Sequence, residues 1–217
     1  LVESKHLILF FFVDDVLTLY KPEHQHYCDQ LWMKLGMEFE TRDMGEVKWF
    51  LGMRIIRNWE ESAIYLCQDS YIEKIAKRFN YNLDKLPPTP IPESFQFKKF
   101  NGQATSSQIH VYQQKVGSLQ FAAKNMRPDI AFAASKLSEF MINPAPEHMD
   151  VADRSIKYLY WTRYLANKFK APASYDPDTC LQIAGDAAFA DNPDRKSSGG
   201  YLFKLYGGSL DWMARKQ

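Results

Sequence analysis

Two adjacent carboxylates, Asp14 and Asp15, follow an unbroken apolar run, Leu7–Val13. The apolar pair Val16-Leu17 comes directly after them, so the pattern predicts a strand that turns at the acids and returns. Like charges buried side by side destabilise each other, and Mg²⁺ removes that cost because it prefers hard oxygen ligands. A plain β-turn is the alternative, since turns favour aspartate for local hydrogen bonds.

Two further residues have types and positions that could serve a site. Asp186 lies inside the apolar segment Leu181–Phe189, where a buried acid is either a metal ligand or a structural acid with hydrogen-bond partners. Gly52 lies inside the strand-like segment Trp49–Ile56. A strand glycine marks either a bulge or a place where another backbone or a ligand approaches closely.

Composition indicates a globular protein without a strong bulk attraction to nucleic acid. The 217 residues are 46% hydrophobic, and 27 basic against 26 acidic residues give a net charge of +1. Three cysteines without a CxxC pair argue against a zinc site or a disulfide framework. No apolar run reaches membrane-spanning length and no signal-peptide pattern is present, so neither membrane contact nor secretion is expected. Both ends fall beside strand-like segments, which favours a piece of a longer protein.

The first sixty residues are predicted to form two hairpins around one helix. The helix runs from Pro22 to Leu35, and the second hairpin pairs Met37–Glu40 with the segment that contains Gly52. A further strand is predicted at Ala63–Leu66, after a turn. His24 and His26 are two residues apart and share no helix face, so both are predicted to be solvated rather than metal ligands.

The rest of the chain is predicted to be helical to about residue 165 and stranded after it. A proline-rich linker interrupts the helical part. The predicted helices are Ser70–Phe79, Tyr112–Lys124, one opened by Arg127-Pro128-Asp129, and Glu147–Leu165. The last segment is predicted to be a three-stranded antiparallel meander, with strands at Leu181–Phe189, Tyr201–Tyr206 and Ser209–Ala214.

The motifs, taken in order, resemble those of copia-type (Ty1/copia) LTR-retrotransposon reverse transcriptases. Phe12-Val13-Asp14-Asp15 is similar to the family's Tyr-Val-Asp-Asp hairpin, with phenylalanine in place of tyrosine. Phe39–Met53 resembles the family's Phe-x-Met-Lys-Asp-Leu-Gly-x-x-x-x-Phe-Leu-Gly-Met segment. Further similar segments follow in the family's order, at Val116–Leu119, Arg127–Ala131, Asn143–His148, Asp186-Ala187, Arg195–Phe203 and Trp212–Gln217. The resemblance covers nearly the whole chain, although Ala188-Phe189 stands where the family has Asp-Trp.

The resemblance implies an α+β fold with three parts. Residues 1–66 would be the C-terminal half of a polymerase palm, built from antiparallel hairpins plus a helix and including the primer grip. Residues 67–165 would be a helical thumb and connection. Residues 166–217 would be the N-terminal part of a ribonuclease H-like domain, namely the start of its β-meander.

The resemblance also implies site residues. Asp14 and Asp15 would hold catalytic Mg²⁺, or Mn²⁺, for RNA-directed DNA synthesis, and Asp186 would be the first metal-binding carboxylate for RNA strand cleavage. Phe12 would pack near the incoming base pair. The primer grip, which holds the sugar-phosphate backbone of the primer, would consist of Phe50, Leu51, Gly52 and Met53.

The implied partners are an RNA template, a DNA primer or RNA–DNA hybrid, deoxynucleotides, and the missing polyprotein segments. The implied location is the cytoplasm, a virus-like particle or the nucleus. The family's first metal-binding aspartate and its fingers would precede Leu1, and the remaining ribonuclease H acids would follow Gln217. Each active site is then half present, and the chain alone is expected to be inactive. Two alternatives stay open, namely a non-catalytic duplex-binding module and an interaction domain from a decayed element, whose exposed strand edges would self-associate.

Overall fold

The computed structural model describes the chain except for residues 1, 4, 5, 83, 173, 175–179, 191 and 193. It divides into two compact units, Leu1–Lys48 and Trp49–Gln217. Both contain helices and antiparallel sheets, so the predicted α+β class is confirmed. The palm, thumb and ribonuclease H names given to residues 1–66, 67–165 and 166–217 stay predictions. None of the described helices is long and apolar enough to cross a membrane.

The first unit contains a three-stranded antiparallel sheet and one helix. Its strands are β1 (Val2–Glu3), β2 (Leu7–Phe12) and β3 (Asp15–Tyr20), hydrogen-bonded in that order. A 3-10 turn at Pro22–His24 leads into α1 (Gln25–Glu38), because proline already has the φ that a first helical turn requires. The β2–β3 pair confirms the strand, turn and strand predicted around the two acids.

The predicted second hairpin of this unit is wrong. The helix continues through Gly36 to Glu38, and residues 39–48 contain no strand, so Met37–Glu40 does not pair with anything as a strand. A glycine inside a helix costs only about 1 kcal/mol, which the neighbouring turns can outweigh.

The buried Cys28 of α1 lies against β3, where its Sγ is 3.6 Å from the Thr18 Oγ1.

The second unit begins with a four-stranded antiparallel sheet. Its strands, in order, are β4 (Trp49–Phe50), β5 (Met53–Asn58), β6 (Ala63–Cys67) and β7 (Asn167–Lys170). The predicted strand Trp49–Ile56 is therefore two strands with a turn between them. The strand predicted from Ala63 is confirmed, and β7 joins it from the far end of the helical region.

A helical core follows this sheet. Its helices are α2 (Asp69–Arg78), α3 (Ser106–Asn125), α4 (Ala131–Ser138) and α5 (Pro146–Trp161), and a 3-10 turn precedes α4. These confirm the four predicted helices. The largest apolar side chains buried between them are Tyr112, Ile72, Leu119, Ile130, Leu137, Ile156 and Leu159.

The chain ends in the three-stranded meander that the sequence predicts. Strands β8 (Leu181–Ala188), β9 (Ser198–Leu205) and β10 (Gly208–Lys216) pair antiparallel, with β9 in the centre. The Trp212 indole N–H on β10 donates a hydrogen bond of 2.6 Å to the Ala123 carbonyl at the end of α3. The meander is thereby attached to the helical core.

Candidate metal and nucleic-acid sites

The two acids of the first unit lie at the tip of the β2–β3 hairpin. Phe12 pairs directly with Asp15, so Val13 and Asp14 form a two-residue turn. Val13 has a φ of 51°, whereas Asp14 has no positive φ, which is the pattern of a type II′ hairpin turn. Glycine normally occupies that first position, and a β-branched residue there is strained. Such strain persists where the surrounding structure imposes it, and it is concentrated at functional sites.

The tip is open to solvent, which corrects the expectation of buried charges. Asp14 and Asp15 are both exposed, and Phe12 is 49% exposed. Neither carboxylate forms an ion pair with a basic side chain among the described residues. Exposed carboxylates keep most of their hydration. Their mutual repulsion is therefore weak, and a metal ion is not needed to offset it. A metal is still favoured by the two adjacent oxygen ligands at the tip of the hairpin.

This pair of acids is an incomplete set of metal ligands. Among the residues that the structure describes, no group of three His, Cys, Asp or Glu side chains converges to hold a metal ion. Mg²⁺ is commonly bound through one or two carboxylates, with waters and substrate phosphates completing its shell. Asp14 and Asp15 therefore fit the protein's share of such a site, and the rest would come from other ligands.

The predicted primer-grip residues form a second two-residue hairpin turn, in the second unit. Phe50 pairs with Met53, and the turn residues Leu51 and Gly52 have φ values of 51° and 77°. Positive φ at both positions is the pattern of a type I′ turn. No atom lies within 4 Å of where a Gly52 Cβ would be. The φ of Gly52 is thus explained by the turn, and the interpretation as a bulge in a strand interior is wrong, whereas approach of a ligand to this turn stays a prediction.

The sheet that carries this turn has cations packed on aromatic rings. The Arg54 and Arg57 guanidinium carbons lie 5.8 and 5.2 Å from the ring centroids of Trp49 and Trp59, and Trp59 is 73% exposed. The Lys168 ammonium on β7 lies 5.0 Å from the Tyr65 ring on β6. Sequence analysis missed these pairs because most of their partners come from different strands. Exposed aromatic rings of this kind can stack on nucleic-acid bases, and the basic groups beside them can bind phosphates.

Two of these cations are held by acids, and Arg54 is one of them, in an ion pair with the buried Asp69 carboxylate. The Lys168 ammonium lies 2.7 Å from the Glu61 carboxylate, and the hydrogen bond from Lys168 lowers the pKa of Glu61. The same bond raises the pKa of Lys168. Both groups are exposed, so the pair is screened by solvent and orients the lysine more than it stabilises the fold.

Asp186 is also exposed, which corrects the expectation of a buried acid. It lies on β8 opposite Gly200 of β9, and every residue of β8 is exposed. Its Oδ1 accepts a 2.8 Å hydrogen bond from the Ala187 N–H. The strand is apolar in sequence, but only its β9 edge is paired in this sheet. Burial therefore gives no support for a metal at Asp186, and its predicted role rests on the motif.

Two motifs of the helical region have structural roles. Arg127 is 2% exposed and donates two hydrogen bonds to the Asp129 carboxylate, at 2.8 and 2.6 Å, and two to Thr162. Burial acts to raise the pKa of Asp129, but the hydrogen bonds and charge of Arg127 lower it overall. His148 accepts a hydrogen bond from the Ala145 N–H at the start of α5, and burial lowers its pKa. These side chains position α4 and α5 and are not available to a ligand.

Comparisons with known proteins return retrotransposon proteins. The chain is 32% identical, over 99% of its length, to the retrovirus-related Pol polyprotein from transposon TNT 1-94 of Nicotiana tabacum. It is 34% identical over 94% of its length to a putative transposon Ty5-1 protein of Saccharomyces cerevisiae. A third relative, the retrovirus-related Pol polyprotein from transposon RE1 of Arabidopsis thaliana, is 30% identical over 95% of the chain.

The chain spans 16%, 64% and 13% of these three relatives, respectively. No family model matches the chain. No solved structure matches it either.

Proposed function

We propose, from its similarity to retrotransposon Pol polyproteins and to a transposon Ty5-1 protein, that this chain is a segment of a copia-type polyprotein that makes DNA on an RNA template. The segment would supply half of the polymerase palm, the thumb and the opening of a ribonuclease H-like domain. The observation that carries the proposal is the hairpin turn that holds Asp14 and Asp15 at an exposed tip.

The two acids would contribute the protein's oxygen ligands to Mg²⁺, or to Mn²⁺. Bound metal would supply charge stabilisation for the attack of a primer hydroxyl on the α-phosphate of a deoxynucleotide. The turn supports this role because two hydrogen-bonded strands hold the backbone of both acids at adjacent positions at the hairpin tip. Fixed placement is what such an in-line reaction requires, since small displacements of the reacting groups are costly in rate.

The Leu51-Gly52 turn would contact the primer. A tight turn without a Cβ at its second residue presents backbone groups to a sugar-phosphate chain, and Phe50 and Met53 pair directly beneath it. Phe12, half exposed next to the acids, would pack near the incoming base pair. Asp186, with its open carboxylate on β8, would take part in RNA cleavage together with acids from another segment.

A segment exchange tests this proposal. The chain replaces the aligned segment of the tobacco transposon polyprotein, and RNA-templated DNA synthesis is measured beside the unmodified polyprotein. We expect activity from the exchanged protein, and Asp14→Ala or Asp15→Ala should lower it by at least about 100-fold, because a metal ligand is lost. Asp29→Ala is the matched control, since Asp29 is an exposed acid on α1 of the same unit.

A binding measurement shows whether a substitution at Asp14 abolishes metal binding or only catalysis. Mn²⁺ added to the purified 217-residue chain should broaden the amide signals next to Asp14, and Asp14→Asn should abolish that broadening. Activity that survives Asp14→Ala as well as it survives Asp29→Ala would overturn the polymerase proposal. The chain without the remaining polyprotein is expected to extend no primer, and Mg²⁺-dependent extension by it would contradict that expectation.

A second candidate function is non-catalytic binding of a nucleic-acid duplex. The cation–aromatic pairs on the β4–β7 sheet and the exposed Trp59 ring favour it. Binding through phosphates weakens steeply as salt is raised. A duplex affinity that falls steeply with salt, in a chain that shows no Mn²⁺ broadening at Asp14, would favour this candidate over the first.

A further inference from the structure

A cluster of histidines lies in the first unit, away from the two acids in sequence. His6 precedes β2, and His24 ends the 3-10 turn that follows β3. The His6 Nδ1 and the His24 Nε2 are 3.3 Å apart, and both side chains are half-buried. The cluster brings together two elements that are separated by the whole β2–β3 hairpin.

Tyr27 holds this pair in place. Its ring stacks on the His6 ring, with centroids 4.2 Å apart and an angle of 12° between the planes. The His24 ring meets the His6 ring edge-on at 4.5 Å. The His26 ring also contacts Tyr27, at 4.0 Å. The prediction that His24 and His26 are simply solvated is therefore wrong for His24, whose partner His6 comes from a distant part of the sequence.

We propose that His6 and His24 form a binding site for a first-row transition metal ion such as Zn²⁺. Two imidazole nitrogens bound to one tetrahedral Zn²⁺ at about 2.05 Å each are about 3.3 Å from one another. The two ring nitrogens already have that separation. One neutral N–H···N hydrogen bond gives a similar distance, so the metal would replace a shared proton. Because the two rings now meet edge-on, both imidazoles would have to turn so that their lone pairs converge on the metal.

The ligand chemistry defines the class of metal. Imidazole suits Zn²⁺, Ni²⁺ and Cu²⁺, whereas Mg²⁺ selects oxygen ligands. The site is therefore chemically distinct from the Asp14-Asp15 tip and does not depend on the proposed polymerase role. No third His, Cys, Asp or Glu joins the pair within the described part of the chain. Water or a partner's side chain would complete the coordination, which gives an open site of moderate affinity.

A metal here would link the two ends of the β2–β3 hairpin. It would join the residue before β2 to the turn after β3, and these strands carry Phe12 and Asp15 at their other end. Any ligand that binds only the folded state stabilises that state, by an amount that grows with the logarithm of the ligand concentration once this exceeds the Kd. The expected consequence is slower amide exchange along β2 and β3 when Zn²⁺ is present.

The test is calorimetric titration of the full 217-residue chain with Zn²⁺. We expect one equivalent to bind, and His6→Ala or His24→Ala should each weaken binding at least 10-fold. Two matched controls should leave the affinity unchanged. His26→Ala removes a neighbouring imidazole that contacts the same tyrosine, and His110→Ala removes an exposed imidazole from α3.

A second measurement on the unaltered chain avoids any effect of the substitutions on folding. Zn²⁺ should shift the imidazole ¹⁵N resonances of the His6 Nδ1 and the His24 Nε2, and not those of His110. Saturable binding with shifts at both nitrogens supports the site. Absence of saturable binding, or binding that leaves these two nitrogens unshifted, overturns it and leaves the pair as a hydrogen bond only.

Discussion

Arg127 illustrates how a basic residue of a motif is used inside the protein. It belongs to a segment that resembles one of copia-type reverse transcriptases, and its charge adds to the basic character of the helical region. Its guanidinium is nevertheless buried, and its hydrogen bonds go to Asp129 and Thr162. A buried arginine with its donors satisfied within the chain stabilises the packing of helices and offers nothing to a phosphate.

Replacing Arg127 by methionine should destabilise the second unit by about 3 kcal/mol, because Asp129 loses its charged partner. The effect should depend on pH with a known sign. Asp129 has a lowered pKa in the folded state, so its contribution is fully present above the ordinary value of 3.8 and is lost as pH falls through the folded pKa. Urea unfolding from pH 7 to pH 2.5 should therefore show the two proteins converging in acid.

Arg42→Met serves as the control for this substitution, since Arg42 is exposed on an irregular segment. It should change the unfolding free energy by less than about 0.5 kcal/mol. A difference between the wild-type chain and Arg127→Met that stays constant down to pH 2.5 would show that the Asp129 carboxylate is not the group that the arginine stabilises.

At the scale of the element, the two hairpin turns differ in the residues that they use. Both turns place a large apolar residue with a φ of 51° at their first position, Val13 and Leu51, and only the β4–β5 turn has glycine at its second position, where φ is 77°. A positive φ is more strained for the β-branched Val13 than for Leu51. The strain at Val13 lowers the stability of the turn that presents Asp14. Such strain is retained at functional sites, so it is consistent with a functional role for the position of the two acids.

Gly52→Ala should destabilise the β4–β5 hairpin by about 1–2 kcal/mol, because alanine is strained at that φ. Gly117 provides a matched control. It lies inside α3 with ordinary helical φ, and no atom lies within 4 Å of where its Cβ would be. Gly117→Ala should therefore stabilise the protein by about 0.5–1 kcal/mol. Equilibrium unfolding together with amide exchange at Met53 measures both effects, and equal signs for the two substitutions would refute the turn assignment.

The elements that sequence analysis identified correctly are those specified by local signals. Helices α2, α3 and α5 have apolar residues at helical spacing, and the Gly207-Gly208 pair marks the turn between β9 and β10. Strand β7 was missed because it is defined by pairing with β6, about a hundred residues earlier in the chain. The His6–His24 contact was missed for the same reason, since it exists only after β2 and β3 have paired.

For the candidate site, the sequence identified the acids but misjudged their surroundings. The apolar residues around Asp14 and Asp186 suggested burial, yet both carboxylates are exposed. An apolar strand is buried only where a second layer covers it, and no local pattern specifies that layer. The chain spans 16% of its tobacco relative, so the roles of these acids have to be tested in the context of that relative's full length.

At the scale of the molecule, the apolar core is unevenly divided between the two units. Of the apolar side chains that the structure describes as buried, only Cys28 belongs to the first unit, and all the others belong to the second. Segments with few buried apolar contacts open at low free energy. The two units should therefore differ in the stability of their hydrogen bonds.

Hydrogen–deuterium exchange of the whole chain measures that difference. Amides of β2 and β3 should exchange at least about 100-fold faster than those of α3 and α5, which should exchange only through global unfolding. The boundary should fall near Lys48, because Ala63 and Cys67 on β6 are 3% and 2% exposed and belong to the second unit. Fast exchange that extended through β6 to residue 66 would instead support the palm boundary inferred from the motifs. Protection of β2 equal to that of α3 would show that the exposed hairpin carrying Asp14 is stabilised by contacts other than apolar burial.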